Sequence, residues 1–181
     1  MSFGFNSPLT LCLPLLAAWG LVGLAGLARP LSITFVGRTL FPLGALIGAA
    51  LAVVAAADKL HVIGGRTNNN TTDNTARHDV YDPATDRWSK AAPMPTARSA
   101  PGAALVNDQI LVVGGECDNG HTFNQNEAYD TKTDRWVVLA SPVGRHGFGG
   151  ASLGDGAYFA GGNKGCGGGD MTDELLLFRL R

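Results

Sequence analysis

Cysteine, histidine and glycine-rich loops are the parts of this chain with residue types suited to chemistry. Cys117 and Cys166 lie two and four residues beyond the pairs Gly114-Gly115 and Gly161-Gly162. Thiols at matching points of a repeated unit are placed to form a disulfide between adjacent loops in an oxidising compartment, and stay reduced in a reducing one. Cys12 stands in an uncharged stretch, as a small apolar filler. His61, His78, His121 and His146 show no close Cys/His pairing of zinc type, and Cys117…His121 alone is a weak hint. Gly147-Phe-Gly-Gly and Lys164-Gly-Cys-Gly-Gly-Gly share only glycine content with phosphate loops, without the P-loop pattern followed by a helix. No Ser/His/Asp or paired-carboxylate set stands apart from turn residues. The expectation is therefore no catalytic residue, no cofactor and no metal. A formal net charge of −1 gives no reason to expect nucleic acid as a partner.

The elements that would carry these loops repeat. Tyr81-Asp82…Thr85-Asp86-Arg87-Trp88 recurs as Tyr129-Asp130…Thr133-Asp134-Arg135-Trp136, 48 residues later. Each copy follows a Gly-Gly pair, Gly64-Gly65 and then Gly114-Gly115, and Gly161-Gly162 comes 47 residues after the second. A period near 50 with this punctuation predicts stacked four-stranded β-blades. Runs such as Ile110–Val113 lack polar alternation, as strands covered on both faces do. The glycines suit crowded strand ends or positive φ, Tyr and Trp bury large areas while their polar tips find partners, and Thr-Asp closes a tight turn. Loops after the Gly-Gly pairs differ in sequence, as binding loops on a fixed scaffold do. The first, Arg66–Thr75, is very polar; its triplets Asn69-Asn70-Thr71 and Asn70-Thr71-Thr72 fit glycosylation only in a eukaryotic secretory route.

Composition breaks at Asp58. Before it the only charges are Arg29 and Arg38. Pro8–Ala28 is an uncharged stretch of 21 residues, which as a helix spans roughly 32 Å, enough for a ~30 Å hydrocarbon core. A retained membrane helix is expected there, with a cleaved signal peptide as the alternative; against the latter, Met1–Asn6 has no Lys or Arg. Leu40–Ala57 is a second uncharged run that just reaches spanning length. If both span, the Arg29–Arg38 loop is cytoplasmic and the rest lies on the outer side, periplasmic or extracellular. Repeat register makes a rival claim on the same residues. Arg98 and Arg145 stand seventeen residues before Gly115 and Gly162, and the matching residue before Gly65 is Gly48. Val53-Val54 then fall opposite Ala103-Ala104 in a first strand. Helix is favoured up to about Ala50 and the rest is open. The expected division is a hydrophobic segment, 1–57, with a boundary between 48 and 58, and a repeat region, 58–181, in units of about 58–92, 93–140 and 141–181.

From Asp58 onward the chain resembles the kelch-repeat family of β-propellers. The likeness rests on Pro93-Met-Pro-Thr-Ala-Arg98, Ala103-Ala-Leu-Val, Asn107-Asp108, Gln109–Val113, the Gly-Gly pairs, the Tyr-to-Trp tetrads, and Arg145-His-Gly through Tyr158-Phe-Ala-Gly161-Gly162 to Phe178 in the tyrosine slot. It implies a mainly β fold, a partial propeller of about two and a half to three blades preceded by one or two hydrophobic helices. Gly64, Gly65, Tyr81, Trp88, Arg98, Gly114, Gly115, Tyr129, Trp136, Arg145, Gly161 and Gly162 then have structural roles. The resemblance further implies a non-enzymatic module, tethered to a membrane through residues 8–28, that binds a protein or carbohydrate ligand by its loops. The alternative is a fragment of a kelch-type sugar epimerase or oxidase. Propellers close with 4–8 blades, so three invite three expectations: a truncated or fused product, two copies completing a ring, or an arc stacked on a partner. Residues 1–57 also resemble membrane subunits of the complex-I-like hydrogenase and antiporter family, through Leu16–Leu27 and Arg38–Leu46. That would make the chain a component of a proton-translocating complex, yet neither segment has the intramembrane Lys or Glu that a proton path needs.

Overall fold

The computed structural model describes residues 51–179, apart from 69, 71–72, 118–119 and 141–143. The proposed membrane helix at 8–28, Cys12, and Asn69 and Thr71 of the glycosylation triplets lie outside the described residues. The described chain forms eleven strands in three antiparallel sheets. The first contains β1 (Ala52–Ala56), β2 (Lys59–Ile63), β3 (His78–Asp82) and β4 (Arg87–Lys90). The second contains β5 (Gly102–Val106), β6 (Gln109–Val113), β7 (Asn126–Asp130) and β8 (Arg135–Leu139). The third has β9 (Gly149–Leu153), β10 (Gly156–Ala160) and β11 (Leu175–Arg179). Each sheet is a meander in chain order, and the sheets stack face to face.

Strand β1 decides between the rival readings for the described end of Leu40–Ala57, residues 52–56; the helix expected up to about Ala50 lies outside the described residues. Ala52 pairs with Ile63 and Ala56 with Lys59, so this stretch is an edge of the first sheet and not the end of a spanning helix. The physical reason is in its pattern: Ala52, Val54 and Ala56 are buried against the second sheet, while Val53 and Ala55 are exposed. A period of two serves a strand and leaves a helix with no coherent face. The first blade unit thus begins before Asp58. Among the described residues no helix is long and apolar enough to cross a membrane.

The turns explain the repeated polar residues. Ala57-Asp58 and Asn107-Asp108 both have positive φ, the backbone of a tight hairpin whose twist matches its strands. Asp86 and Asp134 also sit at positive φ, 52° and 54°. From there each accepts a hydrogen bond from its tetrad tyrosine: Tyr81 at 2.8 Å and Tyr129 at 2.9 Å. Asp130 Oδ1 accepts from the amides of Lys132 and Thr133, and Asp82 Oδ1 from that of Ala84. Each Tyr faces its Trp directly across the outer strand pair. The tetrad is a self-capped β-turn with an aromatic pair at its root.

Candidate functional site

Antiparallel pairing puts the β2–β3, β6–β7 and β10–β11 loops at one end of the sheets, together with the connections that enter β5 and β9. The short turns lie at the other end. At the loop end the double glycines join one sheet to the next. Gly64, Gly114 and Gly161 have φ of 70°, 64° and 68°. A Cβ on Gly114 would lie 2.1 Å from Arg145 O, and one on Gly64 2.6 Å from Arg98 O, so a side chain is excluded by space as well as by φ. Gly65 N–H donates to Arg98 O at 2.9 Å, and Gly115 N–H to Arg145 O at 2.8 Å.

Each of these arginines then reaches forward into its own sheet. Arg98 donates from Nε to Gly114 O at 2.7 Å, from one terminal nitrogen to Val112 O at 2.9 Å, and from the other to Thr96 O at 3.0 Å and to Glu127. Both charges are fully buried. Burial pulls the Arg98 pKa down, and the bond to Glu127 pushes back. Thr96 Oγ1 donates to the other carboxylate oxygen at 2.7 Å. Arg145 repeats the device, donating to Gly161 O and Glu174 O at 3.1 Å each and to the Glu174 carboxylate at 2.6 Å. With the terminal nitrogens of both, and the Nε of Arg98, bonded to main chain and carboxylates, the two arginines are structural bolts.

Cys117 and Cys166 are joined as a disulfide across the second and third loops, with Cα atoms 5.5 Å apart. Thr122 Oγ1 adds a bond to Lys164 O at 3.0 Å between the same loops. Arg66, from the first loop, donates to Ser99 Oγ at 3.3 Å and to Glu116 at the root of the second. The three loops are therefore tied in series. Among the residues exposed on this rim are His121 and Met171. Among the described residues no group of three or more His, Cys, Asp or Glu could hold a metal ion.

Sequence reasoning missed a polar cluster between the first and second sheets. His61 and His78 share a buried hydrogen bond of 2.8 Å, and His78 Nδ1 lies 3.2 Å from Ala92 O. A neutral His78 therefore donates from Nδ1 to Ala92 and accepts at Nε2 from His61. The Tyr129 ring meets His78 edge-on with centroids 4.4 Å apart, and Trp136 Nε1 donates to the same Ala92 O at 2.8 Å. Burial lowers the pKa of both histidines, His78 to about 4. The two are seventeen residues apart, on different strands. The available signal was register: the positions of His61 and His78 in the second sheet are Leu111 and Asn126. Glu127 was also missed: its strand, Asn126–Asp130, is polar in sequence, and only the fold buries it from Asn126 to Tyr129.

The family model for the kelch motif matches residues 48–95 and 97–142, just over half of the chain. The chain belongs to the kelch-repeat family. Kelch-like protein 15 of Danio rerio is 43% identical over 58 residues, which are 32% of this chain and 10% of that protein. Kelch-like protein 40 of Xenopus tropicalis is 39% identical over 84 residues, 46% of this chain and 13% of that one. The matched parts thus span about a tenth of the length of these curated relatives. Among solved structures, that of YjhT is similar with a TM-score of 0.55 and 19% identity, over 62% of this chain and 43% of the other, a likeness of fold alone. The kelch match begins at Gly48, ahead of Asp58, in keeping with β1 as a blade strand. The weaker resemblance of residues 1–57 to proton-translocating membrane subunits draws no support from these relatives, and its described end, 51–57, is part of a kelch blade.

Proposed function

We propose that this chain is a non-enzymatic kelch interaction module, held at a membrane by residues 8–28, that binds a protein partner through its rim of loops. Carbohydrate is the second ligand class. The observation that carries the reading is the serial tying of three unlike loops, by Arg66 to Glu116 and by Cys117 to Cys166, on one end of a rigid stack. Loops ordered before they meet a ligand lose less entropy on binding it. Arg98, Arg145, Tyr129 and Trp136 of the repeat are engaged in holding blades together, which leaves recognition to the loops. A disulfide between these loops accords with a repeat region on the oxidising, outer side of a membrane.

Affinity capture tests the rim. Partners retained by the wild type should be lost with Met171→Asp or His121→Ala and kept with Lys132→Glu at the opposite end. The same partners retained by all three variants would remove the rim from the binding surface. Phase partitioning tests the tether: recovery of uncleaved protein wholly in the aqueous phase rules it out.

A further inference from the structure

The stack has one internal face that shows what a neighbouring blade must offer. Towards the third sheet, the second presents Ala104, Val106, Leu111, Val113 and Ala128, and these are buried under Phe148, Ala157 and Phe159. Strand register carries four of those positions onto the far side of the third sheet as Ala151, Leu153, Tyr158 and Leu177. There they have no cover among the described residues: Leu153 is 73% exposed, Leu177 44%, and Leu175 beside them 60%. The opposite kind of face is also present in this chain. Ala103, Leu105 and Ile110 of the second sheet pack on the first. Their equivalents in the first sheet are Val53, Ala55 and Leu60, with Val53 56% and Leu60 41% exposed. One chain therefore carries both halves of the blade-to-blade contact, each unpaired among the described residues and each built by the repeat to fit the other.

We propose that the outer face of the third sheet takes the outer face of the first sheet of a second copy, and that two copies close head to tail. Three sheets from each copy make a ring of six, within the range of 4–8 blades at which propellers close. Exposed apolar faces of this kind mark association surfaces. A head-to-tail contact either closes on itself or runs on as a filament, and closure with two copies makes both junctions identical. The inference rests on the fold and is independent of the ligand proposed above.

Sedimentation equilibrium of the full chain in mild detergent measures the result. Twice the mass of one chain is expected at micromolar concentration. Leu153→Asp with Leu177→Asp, or Val53→Asp with Leu60→Asp, each checked for retained β-sheet circular dichroism, should give single chains. Mixing these two variants should restore a one-to-one pair through the one junction still intact. Single-chain mass for the wild type overturns the proposal, as do an open series of many copies or pairs that survive both double substitutions. The wild-type mass decides the question even if a variant fails to fold. Because rim variants leave these faces untouched, loss of ligand with an unchanged pair mass separates a failure of one idea from a failure of the other.

Discussion

The junction between the first and second sheets is closed by buried polar groups, whereas the junction between the second and third relies on aromatic rings and a covalent bond. At the first, Arg98 and Glu127 are both fully buried, with His61, His78 and Trp136 bonded alongside. At the second, Arg145 is buried but its partner Glu174 is 51% exposed, and Arg145 Nε has no acceptor among the described residues. Phe148, Phe159 and Phe178 stack edge to face there, and the Cys117–Cys166 disulfide spans the loops. One repeat plan thus tolerates two chemistries, because the invariable part is the main-chain bond from Gly-Gly to arginine. Whatever surrounds that bond is free to differ.

Removing one partner of the first junction should do the most damage. Arg98→Ala leaves Glu127 buried without its cation, and losing one member of such a pair costs about 3–5 kcal/mol. Urea denaturation should show it, and Arg98→Met with Glu127→Leu should recover a large part. If Arg98→Ala proves milder than Arg145→Ala, the contrast between the junctions is wrong. Next comes the disulfide. Cys117→Ser with Cys166→Ser should lower stability by about 2–4 kcal/mol through release of the closed loop. Hydrogen exchange should locate the loss in the second and third loops and leave the first junction protected.

Acid should separate the junctions by a smaller effect. The folded pKa of both histidines lies below the usual 6.5, that of His78 at about 4, so the folded state binds fewer protons than the unfolded. The groups around the pair are Lys59 on β2, Asp79 on β3 and Asp134 in the β7–β8 turn. Stability is then full above about pH 6.5 and falls towards pH 4. Asp134, held low by the Ala92 amide and Tyr129, and Glu174, held low by Lys164, add losses only below their ordinary 3.8 and 4.5. The interval between about 4.5 and 6.5 belongs to the histidines. His61→Leu, the residue the second sheet has at this register, should reduce the fall of the denaturation midpoint across that interval, His78 keeping the share that its own burial causes. An unchanged slope would show that the pair does not titrate with unfolding. The least effect is expected from Lys132→Ala, since water screens both members of its pair with Asp108; its thermal midpoint should shift less than that of any variant above.

Much of this was legible in the sequence, because a repeat prints its own alignment. The tetrads marked the outer hairpins, the Gly-Gly pairs marked the ends of β2, β6 and β10, and counting from them placed Arg98 and Arg145 in one role. The same register put Cys117 and Cys166 in matching loops. What stayed hidden depended on contacts that no spacing encodes. His61 meets His78 diagonally within one sheet and Tyr129 from the next, and Glu127 finds Arg98 across 29 residues. The ambiguity at Leu40–Ala57 had a different origin: small apolar residues satisfy a lipid or a sheet interior equally, and only the pairing of Ala52–Ala56 with β2 separates the two.

The bonds from Gly65 to Arg98 and from Gly115 to Arg145 also bear on how the chain is made. A blade's second strand ends in an amide whose acceptor is the opening arginine of the blade that follows. During synthesis that amide has only water to bond until the next unit has begun to emerge from the ribosome. The unit that matures on the nascent chain is therefore offset from the unit that repeats in the sequence, each blade being finished by its successor's first residues.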